Sequence, residues 1–155
     1  EIQDVKLGEL LQHVVEYMNR RTSQKVEITY STPEIIVQVN PQLFEWVFEN
    51  LCKNAVDAME GKGAIHISAN ADEHLTIIDV TDTGKGITSK NLQDVFTPGY
   101  TTKKRGWGLG LSLAKRIVEE YHNGKIYVLS SEKGKGTTFR IELRFNRKTK
   151  HKLHS

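Results

Sequence analysis

Cysteine is nearly absent from this 155-residue chain: Cys52 stands alone. One thiol cannot form an internal disulfide, which excludes a disulfide-stapled secreted scaffold. No apolar run approaches the ~20 residues needed to cross a bilayer, and no signal-peptide pattern opens the chain. Charge of one sign is also lacking. The net value is +3, from 22 Lys and Arg against 19 Asp and Glu. The excess sits at the end: Arg147, Lys148, Lys150 and Lys152 fall in the last ten residues, where there is no acid. Without them acids outnumber bases, whereas a nucleic-acid binder should be basic over its folded body. Neither nucleic acid nor membrane is therefore expected as a partner of this domain. What is present is a 37% hydrophobic share, enough for a core. The length suits one domain, taken as residues 1–145 with a solvated basic tail at 146–155. A soluble, cytoplasmic setting follows as the expectation.

Periodicity gives the elements. Leu7, Leu10, Leu11, Val14, Val15 and Met18 recur at helical spacing. Val26–Tyr30 and Ile35–Val39 read as short strands around a Ser-Thr-Pro turn. Asn40-Pro41 offers an N-cap and a first-turn proline to a second helix, with Leu43, Val47, Leu51 and Ala55 on one stripe. Strands at Ala64–Ala71 and Leu75–Thr81 follow. Residues 82–106 are rich in Gly, Thr, Lys and Asp, with a short helical possibility at Lys90–Val95. A stretch of that kind inside a domain suggests a functional lid. A third helix is expected from about Trp107 to Tyr121, then strands Lys125–Ser130 and Thr137–Phe145. Strands gathered as hairpins point to an α+β two-layer sandwich, its mostly antiparallel, mixed sheet covered on one face by three helices.

Three places carry chemistry. Asn50, Asn54 and Asp57 lie at i, i+4 and i+7, on one helix face at the edge of the apolar stripe. Such oxygen donors suit Mg²⁺, although the same residues also suit an ordinary surface. Asp82-Thr83-Gly84-Lys85-Gly86-Ile87 follows a strand; its glycines let backbone pass close to a ligand, and its carboxylate can accept from an exocyclic amine. An ordinary Asp-Gly turn would read alike. The third is Lys103-Lys104-Arg105-Gly106-Trp107-Gly108-Leu109-Gly110-Leu111-Ser112, three cations before alternating glycines that open a helix. A helix start with bare glycines invites phosphate.

In this order, ENLCKNAVDAM (49–59), DTGKGI (82–87), VFTPGYTTK (95–103), GWGLGLSLAKRIVEEYHNGKI (106–126) and GKGTTFRIEL (134–143) resemble the catalytic, ATP-binding domain of sensor histidine kinases. That family shares a superfamily with gyrase, heat-shock chaperone and mismatch-repair ATPases, and the resemblance runs over about residues 5–145. It implies ATP and Mg²⁺ as cofactors, and a mobile ATP lid. Asn54 would ligate Mg²⁺ with Asn50 assisting, beside Asp57 and Ala58. Asp82 would accept the adenine amino hydrogen, with Gly84, Gly86 and Ile87 shaping the slot. Phe96 would anchor the lid. Thr101, Thr102 and Lys103, together with Gly106, Trp107, Gly108, Leu109, Gly110 and Leu111, would surround the phosphates, and Thr138 would lie near the adenine. The implied partners are the dimerisation and phosphoacceptor helical domain of the same kinase and, indirectly, a response regulator.

Three features depart from the pattern. Asp57 stands where many sensor kinases carry Lys or Arg, which leaves Lys103 as the candidate for phosphate neutralisation. Trp107 replaces a small residue. His13 is followed by Val14 and Val15 rather than by an acid, so it does not read as the phosphoacceptor. His66 and His74 lack metal-ligand spacing, and Cys52 reads as packed. The alternatives are an anti-sigma serine kinase or conformational ATPase of the same superfamily, and a non-catalytic nucleotide-sensing module.

Overall fold

The computed structural model describes residues 1–87, 92, 94–97 and 110–144. The chain order is β1 (Gln3–Lys6), α1 (Leu7–Arg21), β2 (Val26–Ser31), β3 (Ile36–Val39), α2 (Pro41–Ala58), β4 (Gly63–Ala71), β5 (Leu75–Asp82), α3 (Gly110–Arg116), β6 (Lys125–Glu132) and β7 (Gly136–Arg144). A π-helical turn, Ile117–Tyr121, extends α3. All six apolar positions of the expected first helix are buried on α1. Asn40 caps α2 through its side-chain oxygen, which accepts from the Leu43 N–H at 3.0 Å, and Pro41 opens the helix.

Five strands form the main sheet in the order β2-β4-β5-β7-β6, antiparallel except for the parallel β2–β4 pair. One face carries Ile28, Ile65, Ile67, Ile78, Val80, Phe139 and Ile141 into a core shared with Leu11, Phe44, Phe48, Leu51 and Val118 of the helical layer. The other face is polar, with Thr29, His66, Thr81 and Thr138 along it. The α+β two-layer arrangement is thus as expected.

One local expectation needs correction, and one strand was not expected. The runs at 26–30 and 35–39 do not pair with each other. Parallel β2 lies beside β4, while β3 joins β1 in a separate antiparallel ribbon, Gln3 opposite Val39 and Lys6 opposite Ile36. Turn residues between two β-branched runs signalled a hairpin, but the strands are claimed by different partners. β1 itself carried no sequence signal, having a single apolar residue, Val5, in four.

Candidate nucleotide site

The sheet and α2 meet at a corner built from backbone. Lys85 N–H donates to the Ala58 carbonyl at 3.1 Å, and Gly134 N–H donates to the Lys85 carbonyl at 2.8 Å. The 83–87 loop is therefore fastened to the end of α2 on one side and to the β6–β7 turn on the other. Two glycines are required by this closeness. A Cβ on Gly84 would lie 2.9 Å from Ala58 backbone atoms. Gly86, at φ +78°, would press a Cβ to 2.4 Å from the Glu132 carbonyl oxygen. Both glycines of the DTGKG segment thus serve the loop's own docking, a role in addition to any ligand contact.

Asp82 ends β5 and is buried, 5% exposed. Its carboxylate accepts from Gly84 N–H at 2.7 Å and from the Thr137 backbone N–H. Burial pushes its pKa above the ordinary carboxylate value, and those two donors pull it back only in part. An anion kept in such a place with acceptor capacity left is suited to a ligand N–H. Asp82, Ser131 and Thr137 border a groove of about 470 Å³ at this end of the sheet, lined also by Thr81, Ser130 and Thr138 of the outer face and, among the described residues, by none of α2 or the 83–87 loop.

Thr138, expected near the base, lines the same groove as Asp82 and Thr137, together with Thr81. Asp82 pairs with Thr137 and Thr81 with Thr138 across β5 and β7. Alternation then puts Thr138 on the outer face, where its hydroxyl lies 3.0 Å from that of Thr81. Thr137, one step earlier, is the residue beside Asp82 and is 5% exposed. Ser131 is a second member that sequence reasoning missed. It accepts from Ile87 N–H at 2.6 Å and lies 2.8 Å from the Thr137 hydroxyl. Its only sequence signal was its place just before the β6–β7 turn.

On α2, Asn50 donates through Nδ2 to the Trp46 carbonyl at 2.9 Å, while Oδ1 faces the start of α3, 3.0 Å from where a Gly110 Cβ would be. Gly110 is the first residue of α3, so its bareness lets α3 approach Asn50. Asn54 and Ala58 are half-buried on the same helix, Asp57 is exposed, and Leu111 packs against the core. Among the described residues no group of three His, Cys, Asp or Glu could hold a metal; the oxygen donors available are the amides of Asn50 and Asn54. Phe96 packs edge-on against Phe139, centroids 5.9 Å apart, with Lys115 Nζ 5.4 Å from its ring centre. Thr101, Thr102, Lys103, Gly106, Trp107, Gly108 and Leu109, like the expected lid and basic tail as wholes, lie outside the described residues.

A family model described as "Histidine kinase-, DNA gyrase B-, and HSP90-like ATPase" matches residues 39–147. The chain belongs to this family. Sensor histidine kinase ZraS of Escherichia coli (strain K12) is 36% identical over 148 residues, 94% of this chain and 31% of that protein. The chain thus spans about a third of the length of such relatives. The catalytic domain of histidine kinase ThkA in a nucleotide-free form superposes with a TM-score of 0.82 at 26% identity, covering 93% of this chain and 95% of that one. Full-length ShkA in complex with AMPPNP gives 0.82 at 27% identity, over 92% of this chain and 31% of that one. The family match runs from the start of α2 through β7. Among the described residues no helix is long and apolar enough to cross a membrane.

Proposed function

We propose that this chain is the ATP-binding catalytic domain of a sensor histidine kinase, which passes the γ-phosphoryl group of ATP to a histidine on a separate helical domain. The observation that carries the reading is the buried Asp82 carboxylate, held by Gly84 and Thr137 N–H groups in a loop that docks on Ala58 at the end of α2. Asp82 accepts from the adenine amine, and Gly84, Gly86 and Ile87 keep the loop backbone close enough to flank the base. The amide oxygens of Asn54 and, through Oδ1 aimed toward α3, Asn50 would hold Mg²⁺, which neutralises phosphate charge when bound. Gly110 and Leu111 open α3 toward the phosphates. The sequence places Lys103 and the Gly106–Leu109 segment immediately before them. Phosphoryl transfer asks chiefly for positioning and charge neutralisation, which on this reading the asparagines, glycines and Lys103 supply. A cytoplasmic setting and a response regulator downstream belong to the same reading.

The test is transfer. The chain, labelled ATP and Mg²⁺ are mixed with the helical domain that carries the phosphoacceptor of the same full-length kinase. Acid-labile, base-stable label on that domain is the expected result. Label on a serine would favour the anti-sigma kinase reading. Nucleotide binding without any transfer would favour a sensing module.

A further inference from the structure

The π-helical turn that extends α3, Ile117–Tyr121, has no part in the function proposed above. A π turn takes in one residue more than an α turn; such turns are rare and gather at functional places. This one leads into His122, whose ring bridges two helices. Its Nε2 accepts from the Asn40 N–H at 3.0 Å, at the cap of α2, and its Nδ1 donates to the Ile117 carbonyl at 2.8 Å, at the head of the turn. The ring also stands edge-on to buried Phe44 in the first turn of α2. Two more bonds hold the same end. Glu119 Oε2 accepts from the Ile126 N–H of β6 at 3.3 Å, and Gly124 N–H donates to the Val118 carbonyl at 2.9 Å. The opposite end of α3 meets α2 farther along, where Gly110 stands against Asn50 Oδ1. Asn50 cannot swing freely there, since its Nδ2 donates to the Trp46 carbonyl. One helix is thus fastened to α2 at both of its ends.

We propose that His122 is a positioning residue for the phosphate side of the nucleotide site: by pinning the far end of α3 to the cap of α2, it keeps Gly110 seated on Asn50. A hydrogen-bonded helix carries a displacement from one end to the other. A slack anchor at His122 therefore lets the Gly110 end ride away from α2, and the Asn50 amide loses the surface it faces. Asp82 and the 83–87 loop dock on the end of α2 and on the β6–β7 turn instead, so the base side does not depend on this anchor. The proposal rests on the nucleotide-binding reading above and adds a residue outside the site that acts on one half of it.

The test is the ratio of ADP to adenosine affinity, both titrated with Mg²⁺ present, in wild type, His122→Ala, His122→Gln, Glu119→Ala and Val26→Ala. Adenosine has the base of ADP without its phosphates. The ratio therefore isolates the phosphate side and cancels any loss of folded protein. His122→Ala should lower it by about tenfold, the effect of weakening a charge-assisted hydrogen bond, with the loss confined to ADP. His122→Gln, which keeps an acceptor for the Asn40 N–H, should restore most of it. Glu119→Ala, which loosens the same end from β6, should lower the ratio in the same direction by about threefold, and serves even where His122→Ala does not fold. Val26→Ala opens a void in β2, at the opposite edge of the sheet from β6; it should lower the melting temperature and leave the ratio alone. A wild-type ratio in whichever anchor variant folds, or an equal fall in Val26→Ala, would show that the contact serves stability only and overturn the proposal. Failure of wild type to bind ADP at all would instead sink the nucleotide-site reading, and the proposal with it.

Discussion

At the scale of single residues, Asp82 shows function opposing stability. Its pKa in the fold is raised, so ionisation is less favourable there than in the unfolded chain. A raised folded pKa means that the group's contribution is fully present below the unfolded value and is lost as pH rises through the folded one. Wherever Asp82 is ionised, the empty domain therefore holds its charge at a cost. Asp82→Asn keeps an oxygen for Gly84 but removes the charge. The variant should melt at a higher temperature than wild type, by a margin that widens from acid to neutral pH. It should also lose roughly 10- to 100-fold in ADP affinity, since a hydrogen bond to a charged acceptor is worth about 1.5–3 kcal/mol. Calorimetry and thermal melts over pH check both halves; an equal or lower melting temperature with intact affinity would remove Asp82 from this role. Asp82 was legible because acid and glycines are adjacent in sequence. The place of Thr137 was not, because the doublet Thr137-Thr138 presents two identical side chains on opposite faces. Only the β5–β7 register decides which of them lies beside Asp82.

Among elements, the helices were legible and the strand partners were not. A buried stripe repeats within a helix, whereas pairing depends on distant segments: β2 joins β4, and β3 joins β1. The contact between the end of α3 and the start of α2 was equally hidden. His122 follows the π-helical turn; its Nε2 accepts from Asn40 N–H at 3.0 Å, and Nδ1 faces the Ile117 carbonyl at 2.8 Å. Nδ1 therefore carries the proton, and the ring packs edge-on against Phe44 at 4.6 Å. Both partners suit the neutral ring, and burial lowers its pKa. A lowered folded pKa gives stability that is present above the unfolded value and lost as pH falls through the folded one. Denaturation midpoints should accordingly drop from neutral toward mildly acid pH in wild type, and drop less in His122→Gln. His122→Ala, leaving the Asn40 N–H without its acceptor, should cost about 1–3 kcal/mol at neutral pH. Parallel pH profiles for wild type and His122→Gln would show that the ring does not couple these two helix ends through its charge state.

Across the whole molecule, the proposed reading has a phosphoryl group handed to a partner rather than spent on water. Hydrolysis needs an acid that activates water, and on α2 the position one turn before Asn54 is Asn50, an amide already engaged with the Trp46 carbonyl. Glu49, the adjacent carboxylate, is turned away: besides Lys53 and Glu45 of its own helix, the charges it feels are His13 and Arg21 of α1. A one-residue step rotates a side chain by roughly 100° around a helix, which separates the α1-facing side from the side that faces α3. Desolvation raises the Glu49 pKa, but a raised pKa in the wrong direction does not make a base for this site. The domain alone should thus bind nucleotide yet turn over ATP very slowly, and Glu49→Gln should leave that residual rate unchanged. Phosphate release under multiple-turnover conditions is the measurement. Sustained hydrolysis that disappears in Glu49→Gln or Asp57→Asn would mean that an α2 carboxylate does reach water, and the domain would then act as a conformational ATPase. A slow rate indifferent to both substitutions leaves the attacking atom to be supplied from outside, in line and within about 3–3.5 Å of the phosphorus, which a histidine on a docked helical domain can do.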